Sequence, residues 1–520
     1  MALSKRIIAL AVATAALAGI ASAPGAAAGA PGGAEITVGG RVTNTVPADA
    51  IGVNTPFWNP YLKDARTPGL IRKAGITTLS FNAGGPTDLY HFDHGGWLSP
   101  DPNGKDNGGY EDLTPEFGFD RFAATARAAD ARMLVHVNYG TGPTDTKADP
   151  STPGHPKPGD PREAAAWVRY ANKTRHYGVR DWVIGEETYL NGWFTIPGRK
   201  FPHEPDAHPD KSPAAYARNV IAYARAMKAV DPGIRIGIEL FAYDPAKPDD
   251  PINKAMKEWD DTVLNTPGLA GAADFADVHW YHAAFSHKQS DADVLADTAA
   301  AGPVLRALRA DLDRASGRGH RIGITVGEAN SAALNATQQQ DNAVGALYLL
   351  DNNLSLLENG ASAVDWWALY NGPLNTETVN WGDLGLLSSG ACFTAVDKTG
   401  KKGKQCEPPV GTPFAPYYTM QMLTTALKGG GSTLATAVSG GSDTLTAHTL
   451  RRADGTLAVV VVNKDPRQTQ KVHLNLPRGY RAYRTLTWRQ GDKDPATQRG
   501  RVPTALAPYS AAVVLLAPRG

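Results

Sequence analysis

The sequence predicts an α/β protein, a (β/α)8 TIM barrel followed by a C-terminal β-sandwich domain. Three observations carry that expectation. Eight short runs rich in Val, Ile and Leu recur between residues 50 and 368, and stretches with apolar residues at helical spacing lie between them. Long loops rich in Pro, Gly and Asp follow three of the runs, as loops do on the working rim of such a barrel. After Lys428 the helical period is lost, and β-forming residues alternate or bunch between turn residues.

Along the chain, residues 1–28 read as a secretory signal peptide: Lys5 and Arg6 precede an apolar run from Ile7 to Ile20, and small residues follow. Cleavage after Ala28 is preferred to cleavage after Ala21-Ser22-Ala23, because Pro24 would then sit in the peptidase groove. The mature chain is therefore expected to be secreted and extracellular. No later stretch approaches the ~20 apolar residues that span a bilayer, so no membrane contact is expected of the mature form.

The barrel is expected over residues 35–428, with strands at 50–54, 77–82, 133–138, 182–187, 235–241, 276–281, 322–328 and 363–368. Residues 162–177 place Ala164, Trp167, Val168 and Ala171 on one stripe, and residues 214–230 keep the same period, so both read as outer helices. The loops are 144–161, 197–212 and 242–251. Gly429-Gly430-Gly431 opens the sandwich, residues 429–520, whose clearest strands are 457–463, 471–476 and 511–516. Arg452-Ala453-Asp454-Gly455 reads as a hairpin turn. Residues 34–38 are placed to add a strand to this sandwich.

Composition excludes several classes. With 42% hydrophobic and 20% charged residues in 520, the balance is that of a globular protein rather than a collagen-like, disordered or coiled-coil one. Lys and Arg total 52 against 51 Asp and Glu, and no basic run is dense enough to track a phosphate backbone, so nucleic acid is not an expected partner. Cys392 and Cys406 are the two cysteines, and in an exported chain they most simply close one loop as a disulfide. His203 to Asp210 carries metal-ligand residue types without the spacing of a known site, and no strand-Gly-helix phosphate motif or nucleophile elbow occurs. Neither a metal nor a cofactor is expected.

Side chains at strand ends converge on a barrel's mouth. The fourth expected strand ends in Glu186-Glu187 and the seventh in Gly327-Glu328. Two carboxyls facing one another at ~5 to 5.5 Å are what a retaining glycosidase needs, one attacking the anomeric carbon and one protonating the leaving oxygen. On pattern alone, glutamates that cap helices or pair with Arg are an equal alternative.

Trp182-x-Ile184-Gly185-Glu186-Glu187-x-Tyr189 resembles the strand-four W-x-I-G-N-E motif of clan A glycoside hydrolases, above all the α-L-arabinofuranosidase-like families. Thr325-Val326-Gly327-Glu328-Ala329-Asn330-Ser331 resembles their strand-seven segment, and Asp277-Val278-His279-Trp280-Tyr281 their sixth strand. The resemblance implies that Glu187 is the acid/base and Glu328 the nucleophile, with His279 and Tyr281 beside it, and that the partner is an oligosaccharide or polysaccharide. It leaves open an endo-acting arabinan hydrolase, a β-glycosidase of the clan, or a carbohydrate-binding barrel that has lost its chemistry.

Two departures stand out. The family has Asn where this chain has Glu186, and an ionised carboxylate can only accept hydrogen bonds. Whether Glu186 faces the site or, by strand alternation, the surrounding layer is open at this point. The family's strand-two Arg is missing from Leu79-Ser80-Phe81-Asn82-Ala83-Gly84-Gly85, so another group must support the nucleophile. Trp193, Trp280, Trp367 and Tyr370 offer faces on which sugar C–H groups could pack, although about half of such aromatics should be structural. Asn138 is a candidate donor to a sugar hydroxyl, with a turn-forming role nearly as plausible.

Overall fold

The computed structural model describes residues 33–519, apart from 94, 101–109, 143–156, 196–203, 282–288, 318–319, 334–335 and 398. The expected signal peptide and its cleavage site lie outside the described residues, as do most of loop 144–161 and the start of loop 197–212.

Eight parallel strands close into a barrel: Ile51–Asn54, Thr78–Phe81, Arg132–Val137, Asp181–Ile184, Arg235–Glu239, Phe275–Trp280, Gly323–Ala329 and Ala363–Trp366, here called strands one to eight. Each falls on one of the eight expected runs. Helices cover their outer faces while neighbouring side chains fill the barrel, so both faces are buried and the sequence of each strand is nearly continuous in apolar residues. The connecting helices include Pro161–Val168, Pro213–Val230, Pro251–Asn265, Ala301–Ser316 and Ala343–Glu358. Ser212 caps the second of these by accepting from Ala215 N, and Asp250 caps the third through Ile252 N and Asn253 N. The first is shorter than its period suggested: it widens into a π turn at Arg169–Thr174, and Asn172 then fastens the chain by bonding both N–H and C=O of Val179 at 2.8 Å.

The second unit is one nine-stranded, mostly antiparallel sheet. Its N-terminal strand, Ala34–Val46, lies antiparallel to Gly431–Ser439 and parallel to Gln470–Asn475. The sheet curls over a core of its own, in which Ile36, Val472 and Leu474 meet Val459, Val461, Val514 and Leu516. The alternate residues Val460, Val462, Val513 and Leu515, with Trp488, belong to the barrel's core instead. Both faces are thus covered, which is why Leu457–Asn463 is fully buried along its length. Cys392 and Cys406 face each other in a hairpin of Cys392–Val396 with Lys402–Cys406 and form a disulfide.

A buried charge cluster joins the two units. Asp351, on helix Ala343–Glu358, accepts from Lys464 Nζ at 2.9 Å, His448 Nε2 at 2.9 Å, Thr298 Oγ1 at 2.5 Å and Thr446 Oγ1. Burial alone would raise the Asp351 pKa, but Lys464 and His448 hold it far below the usual range. Burial likewise opposes the His448 charge, yet Glu358 and Asp351 push that histidine up to about 10. Asp351→Ala would leave the buried Lys464 without its carboxylate, while His448 keeps Glu358 at 3.1 Å, and should cost about 3 to 5 kcal/mol in urea unfolding. The histidine's share of stability should be complete below its ordinary 6.5 and be lost as pH rises through about 10. The aspartate's share should be present above its ordinary 3.8 and be lost on acidification.

Candidate active site

Strand four stops at Ile184; Gly185 follows with a φ of +92, outside the extended region, and Glu187 has a left-handed φ of +43. A Cβ at Gly185 would lie 2.5 Å from Thr188 Cγ2, so only glycine fits this turn. Strand alternation ends there, and Glu186 and Glu187 both turn into the mouth, fully buried. Asp88 ties the turn to strand three by accepting from Glu186 N at 3.2 Å, Tyr139 N at 2.6 Å and Gly140 N at 3.1 Å. Burial raises its carboxyl to about 8 in spite of these bonds.

Three strand ends meet around His279. Its Nδ1 lies 2.8 Å from Glu187 Oε1, 3.7 Å from Glu328 Oε2 and 3.8 Å from Glu186 Oε1. Tyr189 Oη donates to Glu187 Oε1 at 3.1 Å. Glu328 is held at both oxygens: Asn82 Nδ2 donates to Oε1 at 2.7 Å and Tyr281 Oη to Oε2 at 2.5 Å. One oxygen of Glu187 and one of Glu328 lie within 4.8 Å of each other. Glu186 is closest to a second histidine, His136 Nδ1, at 3.1 Å, and His136 Nε2 stands 3.5 Å from Asp277 Oδ2.

The site thus gathers Glu186, Glu187, His279, Tyr281 and Glu328. Trp367 stands beside it in an apolar cluster with Tyr281, its ring 5.8 Å from that of Trp58. Trp193 is half-buried against Trp259 and donates to Tyr189 O at 2.9 Å. Three expectations are corrected. Trp280 alternates with His279 and Tyr281 and so lies in the outer layer, its indole toward Tyr348 of helix Ala343–Glu358. Asn138 spends its amide locally, on Tyr90 O, Thr141 Oγ1 and Thr141 N, which is the turn-forming role. Tyr370 bonds Thr67 and packs on Tyr61 rather than on the carboxylates.

Asn82, His136, Glu239 and Asp277 were not singled out from sequence. His136 and Glu239 each interrupt an apolar strand, a signal that was legible. Asn82 occupies the strand-two end where an Arg was missed, and its contact with Glu328 spans 246 positions.

Burial raises the Glu186, Glu239 and Glu328 carboxyls, and repulsion from neighbouring carboxylates, Glu187 among them in each case, adds to it. Burial would lower His279, but Glu328, Glu186 and Glu187 outweigh it and hold the ring well above 6.5. His136 goes the other way, down to about 4, because desolvation prevails. Three overlapping sets could chemically hold a cation: His136 with Glu239 and Asp277, Glu186 with Glu239 and His279, and Glu187 with His279 and Glu328. The last is the carboxylate pair itself, already bridged by the histidine. His208, in the segment with metal-ligand residue types, bonds Asp206 at 2.7 Å and stacks on Tyr139 at 4.5 Å between ring centroids.

No family model and no curated protein matches the chain. Solved structures do. The α-L-arabinofuranosidase of Thermotoga maritima, in complex with arabinose, superposes with a TM-score of 0.64 at 17% identity, over 93% of this chain and 99% of that one. The α-L-arabinofuranosidase of Thermotoga petrophila RKU-1 gives 0.63 at 18%, with the same coverage. A Paenibacillus polymyxa xyloglucanase of glycoside hydrolase family 44 gives 0.60 at 12%, again over 93% and 99%. At these identities the likeness is one of fold: the barrel and the sheet recur together.

The two histidines should report opposite charge states. In side-chain 15N spectra of selectively labelled protein, His136 should stay neutral and His279 charged across about pH 5 to 8. A His279 that titrates near 6.5 would remove the carboxylate cage described above.

Proposed function

We infer that the protein is a secreted retaining glycoside hydrolase that cleaves arabinofuranosyl linkages in a polysaccharide, with Glu328 as nucleophile and Glu187 as acid/base. The observation that carries this reading is the approach of the two carboxylates to within 4.8 Å. That separation suits double displacement, for which ~5 to 5.5 Å is usual, whereas inverting enzymes leave ~6.5 to 9.5 Å for a water. Catalysis is assigned to the barrel, within residues 35–428, and residues 429–520, joined by the strand Ala34–Val46, form the accessory domain.

In the first step a Glu328 oxygen attacks the anomeric carbon while the glycosidic C–O bond breaks and Glu187 gives its proton to the departing oxygen. In the second, water attacks the same carbon, passes a proton to Glu187 and releases Glu328. Asn82 and Tyr281 hold the nucleophile's two oxygens, so its orientation is set before substrate arrives. His279 keeps a positive charge between the two glutamates through both steps. This contact set also weighs against a barrel that binds sugar without cleaving it. The arabinofuranosyl specificity rests on the strand-four and strand-seven motifs and on the named enzymes of like fold. A disulfide and the apolar leader support secretion, and no helix among the described residues is long and apolar enough to cross a membrane.

Glu328→Ala should abolish turnover of aryl arabinofuranosides, and azide should restore it as a glycosyl azide of inverted configuration. Glu187→Ala should lose about 100- to 10,000-fold, with azide giving the retained anomer. A wild-type product of inverted configuration by NMR would refute the double displacement. Activity confined to pyranosides in a substrate panel would favour a β-glycosidase of the same fold.

Glu186→Gln removes a neighbour that raises Glu328, so the acidic limb of the kcat/KM profile should move to lower pH while turnover persists. Unchanged kinetics across the panel would leave Glu186 without a part in the chemistry.

A further inference from the structure

Strands six and seven run in simple register from Phe275 opposite Gly323 to Val278 opposite Val326, and then His279 faces Glu328. Gly327 has been passed over, one extra residue on strand seven. The register with strand eight breaks at the same place, between Val326 and Ala329. The consequence is directional. Ile324 and Val326 pack outward with the helices, and regular alternation would send Glu328 after them. The bulge reverses the parity and turns Glu328 into the mouth.

Two side chains from other strands hold this bulge. Asn54, at the end of strand one and fully buried, donates from Nδ2 to Gly327 O at 2.9 Å. It reaches past strand eight to do so, and it satisfies a carbonyl at the point where the ladder is interrupted. Asp277, inward-facing on strand six, fills the space beside Gly327, where a Cβ would stand 2.2 Å from its Oδ1 and 2.6 Å from its Oδ2. The peptide joining Gly327 to Glu328 is therefore gripped by Asn54 on its oxygen and walled by Asp277 on its Cα.

We propose that Asn54 and Asp277 are positioning residues for Glu328, acting through the Gly327 bulge that aims it; this rests on the reading of Glu328 as nucleophile. Neither touches the carboxylate itself, so their effect should fall on the attack and not on sugar binding.

The test uses the full chain and a 2-deoxy-2-fluoro arabinofuranoside with a good leaving group, which traps the nucleophile covalently. Mass mapping of the wild type locates the label, and a label elsewhere than Glu328 refutes the nucleophile assignment alone. In Asn54→Ala the trapping rate constant should fall about 10- to 100-fold with the half-saturating concentration unchanged. An unchanged rate constant overturns the proposal. Hydrogen exchange of the peptide spanning residues 327–331 gives a reading independent of chemistry: it should quicken in Asn54→Ala, and equal exchange also overturns the proposal. Gly327→Ala should damage trapping on its own, and combined with Asp277→Ala the loss should be smaller than the two single losses multiplied. Strictly multiplicative losses would remove Asp277 from the proposal. Should Asp277→Ala fail to fold, Asn54→Ala and the exchange measurement still decide.

Discussion

The imidazole of His279 is the contact around which the mouth of the barrel is organised. It is within 4 Å of Glu186, Glu187 and Glu328, on three separate approaches, at 3.8, 2.8 and 3.7 Å. A lone buried carboxylate is expensive, and three that share one dry space are more so. One cation cannot neutralise three anions, and burial together with the neighbouring carboxylates raises Glu186 and Glu328 in spite of it. The surrounding bonds follow from the same need. Tyr281, Tyr189 and Asn82 each place a donor on a carboxylate oxygen, and His136 stands behind Glu186. The arrangement is tense by construction, and the charges that make it so are those that double displacement moves.

The fold was open to reading because parallel strands covered on both faces leave uninterrupted apolar runs, and eight such runs are hard to mistake. Glu187, Glu328, His279 and Tyr281 were legible from local motifs. Glu186 was not, because its direction is decided by the φ values of Gly185 and Glu187, which no residue pattern states. Trp280 is instructive in the opposite sense. Once His279 and Tyr281 are given the inner face, alternation alone assigns Trp280 to the outer layer, so the sequence already held that answer. Asn82 and Asn54 were beyond reach for a different reason. Each is an ordinary polar residue at a strand end, and each acquires its role from a partner more than 240 positions away.

The sheet is attached to the barrel by two different kinds of contact. Apolar residues on its barrel-facing side join the barrel's core, and the Asp351 cluster adds charges that must all be present for any to be tolerated. The first supplies area without direction. The second fixes which residues meet.

The strand Ala34–Val46 precedes the whole barrel in sequence, yet its ladder partners, Gly431–Ser439 and Gln470–Asn475, come after it. A chain that appears from one end therefore holds an unpaired strand, with Ile36 and Val38 on it, while nearly 400 further residues are made. Loop closure of that length costs little more than a shorter one in equilibrium terms, but it must wait for its far end. The barrel then lies between the two halves of a clasp that shuts last. Folding should thus run inside out, with strand pairing at the termini sealing a barrel already formed.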